Sequence, residues 1–259
     1  MCGVTPLTWV LSPFADTHVH LDKTFTISRL GVDEAAPPSL LAAVRAIQAD
    51  RLYWTPEDIE RRAGHAIRLA LAHGTTRLRT HVDVRPGQGG WSGWDTLLRL
   101  RRQWQGHVHI DMVAMLPMET YAGPECSSLA DRVARDGGLL GGVTKAMGRA
   151  AADEQALVDA ALDALLPAAR ERGLAVDLHV DESCDPAAQS FDAVARAATK
   201  HGMEGRIACS HCCSLSYRSR GAMDAALRAA RAAGLHIVAL PTANEYLQDR
   251  QPGRTPRLR

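Results

Sequence analysis

Short apolar runs alternate with longer amphipathic stretches through most of this chain. The apolar runs, rich in Val, Ile and Leu, predict strands over residues 14–20, 76–84, 109–116, 139–144, 175–180, 206–210 and 236–240. Between them, Ala-, Leu- and Arg-rich segments with apolar residues at helical spacing predict helices over 56–73, 94–105, 127–136, 153–172, 192–201 and 221–233. AHGTTRLRTHVDV, ERGLAVDLHVDE and AAGLHIVALPTAN repeat one pattern of helix end, glycine, strand and polar tip. The glycine is the expected helix stop. Regular alternation of this kind implies a parallel sheet with crossover helices, and seven such units predict a TIM-type (β/α)8 barrel in one α/β domain over residues 1–259. The C-terminal QDRQPGRTPRLR reads as loop. The barrel is therefore expected to be incomplete, with about seven strands and the eighth missing.

Composition narrows the partners. The 259 residues carry 30 basic and 29 acidic side chains, a net charge of +1. That balance gives no reason to expect nucleic acid or an anionic membrane surface as partner. No apolar run approaches the ~20 residues of a membrane-spanning helix. The N-terminus, MCGVTPLTWVLSPFADTHVH, has no basic region and no cleavage site of the secretory kind, so the cytoplasm is expected. A homo-oligomer is expected too. Cys209 and Cys212 have C-x-x-C spacing, but no second pair completes a zinc site, and the six cysteines read as reduced. The P-C-x-x-C of the zinc deaminases that act on flipped bases is absent.

Histidines gather where strands are predicted to end. The first strand ends in His18-Val19-His20, the second in His81-Val82-Asp83, the fifth in His179-Val180-Asp181-Glu182 and the sixth in Ser210-His211. Barrel enzymes place their chemistry at the C-terminal ends of strands. Residues i and i+2 of a strand share a face, so His18 and His20 can address one metal ion. A lone strand-end histidine is usually a hydrogen-bonded structural residue, and His81 is read that way. So are His65, His73, His201 and His236. The H-x-H pair with two later strand-end histidines predicts a metal site. Imidazole suits iron and zinc alike.

FADTHVHLDKTFT, TTRLRTHVDV, DLHVDESCD, IACSHCCSLSY and LPTANEYLQDRQPGRTPRLR together resemble the amidohydrolase superfamily, and within it the cytosine deaminase-like group. The resemblance runs along almost the whole chain. It implies a hydrolase that deaminates a small cyclic amidine or amide, using one divalent metal ion, Fe or Zn, bound by His18, His20 and His179. It implies that Glu182 carries protons to the ring nitrogen and leaving amine, and that His211 orients and helps deprotonate the attacking water. It also places Met118, Asn244 and Gln248 against a small heterocyclic substrate.

Three departures from the group's pattern qualify this. Met118 stands where the group has a glutamine that reads a pyrimidine amide edge, and a thioether cannot pair with a ring N–H and carbonyl. Cytosine itself is thereby disfavoured. The group's N-terminal β-sandwich segment is not in the sequence, and no aspartate of an eighth strand follows the seventh; Asp249 falls in a loop and does not replace it. The alternatives are an aminohydrolase for an N-substituted triazine or other heterocycle, a catalytically deficient barrel fragment, and a plain metal-binding module. The last has no use for Glu182 and His211. Lys23, just beyond H-x-H, reads as a salt-bridged loop residue with Asp22 as one possible partner, or as a charge at the site mouth.

Overall fold

A computed structural model describes residues 10–30, 39–87, 90–144 and 151–249. Cys2 and residues 250–259 of the C-terminal segment lie outside them. Seven strands form one sheet: β1 (Phe14–Val19), β2 (Thr75–Asp83), β3 (His109–Pro117), β4 (Leu139–Val143), β5 (Val176–Val180), β6 (Ile207–His211) and β7 (His236–Val238). They lie in chain order, each parallel to the next. Side chains at the end of β1 reach those of β5 and β6, so the sheet is curled into a barrel rather than open. Among the described residues, no strand pairs with the outer edge of β1 or of β7.

The helices wrap the outside: α1 (Leu40–Asp50), α2 (Pro56–Ala72), α3 (Ser92–Gln103), α4 (Cys126–Arg135), α5 (Ala151–Glu171), α6 (Ser190–Lys200) and α7 (Arg220–Ala232). α1 is absent from the sequence-based expectation. Late in the chain, a short helical turn over Pro241–Asn244 runs into a π-turn at Glu245–Asp249, where the sequence reads as loop. The glycines of the three repeated segments, Gly74, Gly173 and Gly234, have φ of +84, +68 and +61, the left-handed conformation that ends a helix with little strain only at glycine. No described helix is long and apolar enough to cross a membrane.

Alternation along each strand sorts the side chains. Leu140, Leu178, Val180, Ile207 and Cys209 are fully buried in the apolar core. The other face of the same strands carries Asp177, His179 and Ser210, with His179 in register with Ser210. Gly141 pairs with Asp177, and a Cβ there would stand 2.6 Å from the Asp177 carbonyl and run into Val113. The barrel interior narrows at that level.

The segment after β1 is held by one buried cation. Arg62 of α2, only 2% exposed, donates to the carbonyls of Thr24 at 2.6 Å and Asp22 at 2.9 Å. It also pairs with Asp58 at 2.8 Å. Arg29 ties the same Asp58 to Asp50. Arg62→Ala strands the two carbonyls, while Asp58 keeps Arg29 and Arg61. The substitution is expected to cost about 3–5 kcal/mol, read by urea unfolding. Arg62→Lys, which cannot span three acceptors, is expected to recover only part of that loss.

Candidate active site

Five histidines crowd the C-terminal end of the barrel. His18 lies in β1 and His20 just after it. The His18 ring stacks on His81 of β2 with centroids 4.0 Å apart, and lies 4.6 Å from His179 and 5.1 Å from His211. His20 Nε2 is 3.3 Å from His179 Nε2. Ligand nitrogens of His18, His179 and His211 all lie within 4.8 Å of one another. Two imidazoles sharing a tetrahedral ion through bonds of ~2.0–2.1 Å would stand ~3.3–3.4 Å apart, which is the separation His20 and His179 already have.

The protonation chemistry fits a cation. Burial, helped by His81, His211 and Lys23, pushes the His18 pKa down to about 2. Burial also takes His20 and His179 well below the ordinary range, and His211 down to about 4. These rings are neutral at physiological pH, the form that binds metals. Nδ1 of His20 faces the His81 carbonyl at 3.0 Å, and Nδ1 of His211 faces Asn244 Oδ1 at 2.9 Å. Each ring so fixed presents Nε2 to the others. Nε2 of His18 and Nε2 of His211 are buried without a hydrogen-bond partner, whereas on His179 it is Nδ1 that lacks one and Nε2 that faces His20. Orphaned buried nitrogens cost free energy unless something occupies them, and a metal ion would.

Glu182 joins this group although strand alternation argues against it. It is three residues after His179, and in an unbroken strand it would point to the opposite face. Asp181 breaks the alternation with φ +46, and Glu182 Oε1 ends 3.4 Å from His211 Nδ1. Burial raises the Glu182 carboxyl to about 7. His211 is returned to the mouth in the same way. Its neighbour Ser210 faces the interior, and φ of +72 at His211 and +51 at Cys212 turn the chain. Left-handed backbone costs a non-glycine residue ~1–2 kcal/mol. Three such residues clustered at two strand ends mark where the fold gives up stability for geometry.

Asp181 offsets its strain with hydrogen bonds. Its carboxylate accepts from the Ser190 and Phe191 N–H groups at 3.1 and 3.0 Å, capping α6, whose own preceding residue Gln189 makes no side-chain cap. Ser214 and Arg218 approach the same carboxylate at 3.4 and 3.6 Å.

The remaining residues singled out from sequence fall in three places. Asn244 is buried and touches His211. Gln248 lies farther out and donates to Cys213 Sγ at 3.6 Å. Met118 is 1% exposed in the core, with its sulfur over Gly142, on the opposite face of β4 from Gly141 and the interior. Lys23 pairs with Asp83 at 3.0 Å, not with Asp22, and Arg51 joins the same carboxylate. His81 is not the hydrogen-bonded residue expected: neither ring nitrogen has a hydrogen bond, and Nε2 is 3.1 Å from Asp177 Oδ1 without hydrogen-bond alignment. His73, His201 and His236 bond elsewhere, to Leu69, Asp163 and Gly205, and His65 lies against Phe25. All five described cysteines are free. Two residues under the histidines, Asp177 and Ser210, have no role in the sequence reading. The available signal was the two-residue periodicity that sets Asp177 on the face of His179.

Asp181→Ala is expected to lose about 1–3 kcal/mol in urea unfolding, because it frees two buried amides. Asp181→Asn tolerates the left-handed backbone and keeps one acceptor oxygen, so its loss is expected to be smaller.

Comparison with known proteins agrees with this arrangement. The sequence profile of the amidohydrolase family matches residues 41–259. A pterin deaminase of Rhizobium rhizogenes is 37% identical over 248 residues, covering 95% of this chain and 54% of that protein. An N-isopropylammelide isopropyl amidohydrolase of Pseudomonas sp. is 28% identical over 207 residues, covering 78% of this chain and 49% of that protein. The present chain thus spans about half the length of these relatives. The crystal structure of 5-methylcytosine deaminase from Klebsiella pneumoniae, liganded with phosphonocytosine, superposes with a TM-score of 0.81 at 25% identity, over 94% of this chain and 58% of that one. A profile match over most of the sequence, on a barrel with this histidine-lined mouth, settles the relationship: the chain belongs to the amidohydrolase family.

Proposed function

We propose that this chain carries the active-site end of a metal-dependent hydrolase that removes the exocyclic amine of a small nitrogen heterocycle. The observation that carries the reading is the gathering of ligand nitrogens of His18, His179 and His211 within 4.8 Å of one another, with His20 against His179 and Glu182 against His211. His18, His20 and His179 would hold one iron or zinc ion, with His211 Nε2 facing the same space. When bound, such an ion acts as a Lewis acid and brings the pKa of water towards neutrality.

The chain's own groups can do the rest. A carboxyl poised near 7 can take one proton from the attacking water and pass it to the ring nitrogen, then carry the remaining hydroxyl proton to the departing amine. The products are ammonia and a ring carbonyl. His211, held by Asn244 through Nδ1, is placed to orient that water through Nε2. Burial of Glu182 and the rings excludes competing solvent.

Pterins and cytosines share the required amino-amidine edge, and relatives named for both support this substrate class. A second reading, cleavage of an N-alkyl amine from a triazine, draws on the N-isopropylammelide relatives.

Two measurements test this. Metal analysis of the purified chain, with ammonia and alkylamine release from pterins, cytosines and N-alkyl ammelides, is expected to find bound iron or zinc and ammonia from an amino-substituted ring. Alkylamine alone would favour the second reading, and neither metal nor release would sink both. Glu182→Gln is expected to keep its metal and lose ~10²–10⁴-fold in turnover. Unchanged turnover in that variant would remove Glu182 from the proton path.

A further inference from the structure

Beneath the histidine cluster lies a chain of polar groups that the proposed reaction does not use. Ser210 Oγ is 2.9 Å from His18 Nδ1 and 3.3 Å from Asp177 Oδ1. Asp177 and Ser210 are both fully buried. The other carboxylate oxygen, Asp177 Oδ2, accepts from Arg79 Nη1 at 2.9 Å. These contacts follow from strand geometry. Asp177 is two residues before His179 on the same face of β5, Ser210 is in register with His179 on β6, and Arg79 is two before His81 on β2.

Proton counting gives the chain a direction. A serine hydroxyl has one proton and can donate it once. The guanidinium of Arg79, a pure donor, occupies one side of Asp177, so the carboxylate meets Ser210 as an acceptor. The serine proton therefore goes to Asp177, and the serine oxygen is left to accept. Only a proton on His18 Nδ1 can satisfy it. His18 Nε2 then carries a lone pair, and Nε2 is the atom found buried with no partner at the mouth.

We propose that Arg79, Asp177 and Ser210 form a positioning relay that locks His18 in its Nδ1–H tautomer and aims Nε2 at the metal. The proposal rests on the reading of His18 as a ligand. Such outer contacts fix the ring orientation and basicity of metal-binding histidines, usually through a carboxylate or carbonyl directly. Here a hydroxyl is interposed. The relay also gives the barrel a reason to keep a buried carboxylate paired with a half-buried cation below its site, and it makes Ser210 of the SH pair as consequential for binding as its neighbour.

The experiment uses the whole chain, stripped with a chelator and titrated with zinc against a chromophoric competitor. It also uses proton–nitrogen correlation spectra of the protein labelled at the histidine ring nitrogens. His18 in the unmodified, metal-free protein is expected to be the Nδ1–H tautomer. Ser210→Ala is expected to show a mixture of tautomers and to bind zinc about 10- to 100-fold more weakly, whereas Ser210→Thr, which keeps the hydroxyl, recovers affinity. An Nε2–H tautomer in the unmodified protein would overturn the relay without need of any variant. If His18→Ala abolishes zinc binding while Ser210→Ala leaves it unchanged, the relay falls and the metal site stands. If His18→Ala binds zinc as tightly as the parent, the metal reading falls and takes the relay with it.

Discussion

Packing imidazoles against one another in a buried space constrains everything else in this barrel. Protonated rings 4–5 Å apart with little water between them would repel strongly. Neutral rings avoid that repulsion, and burial lowers the pKa of His18, His20, His179 and His211. A neutral imidazole has one donor and one acceptor, so each needs a fixed partner for its N–H and a use for its lone pair. The His81 carbonyl, Asn244 and Ser210 supply the first need, on three separate elements. The second need is what suits the mouth of the barrel to a cation.

That constraint explains where the backbone departs from regularity. A strand offers only every second residue to the interior. His179 and Ser210 use that allowance, and Glu182 and His211 exceed it. Left-handed conformations at Asp181, His211 and Cys212 add the extra groups at the strand ends. The strain is offset locally, since Asp181 caps α6 with the carboxylate that the turn redirects. The residue that turns the chain towards Glu182 is thus also one that stabilises a helix.

Much of the architecture is legible in the residues. The sequence pattern places all seven strands to within two residues of their ends, and the hydrophobic signal is purest in a strand buried on both faces such as β5. α1 escapes that pattern, although Ser39, whose hydroxyl accepts from the Ala42 amide, is a recognisable helix start. The H-x-H pair can be read from periodicity alone. Alternation points Glu182 and His211 outward; His211 is found by its place at a strand end, and Glu182 by resemblance to a known family. Met118 shows the limit of that route: it occupies a substrate position by alignment, and its side chain packs on the helix side of β4. Two-residue periodicity sets Asp177 on the His179 face, but its contact with Ser210 needs strand register, a relation between residues 33 apart that no local pattern records.

The contact between His18 and Ser210 also ties the site to the order in which the chain comes together. These residues are 192 apart in sequence, whereas His20 and His81 are 61 apart. By loop-closure entropy alone the longer contact costs about 1 kcal/mol more to form, and contacts of such separation slow folding. An intermediate with β1 to β5 in place would already gather His18, His20, His81 and His179. It would still leave the His18 ring free to turn, because β6 had not arrived. Full metal affinity would then appear only with the last long-range contact, so a cation taken up early would be held loosely and could dissociate before the fold closed around it.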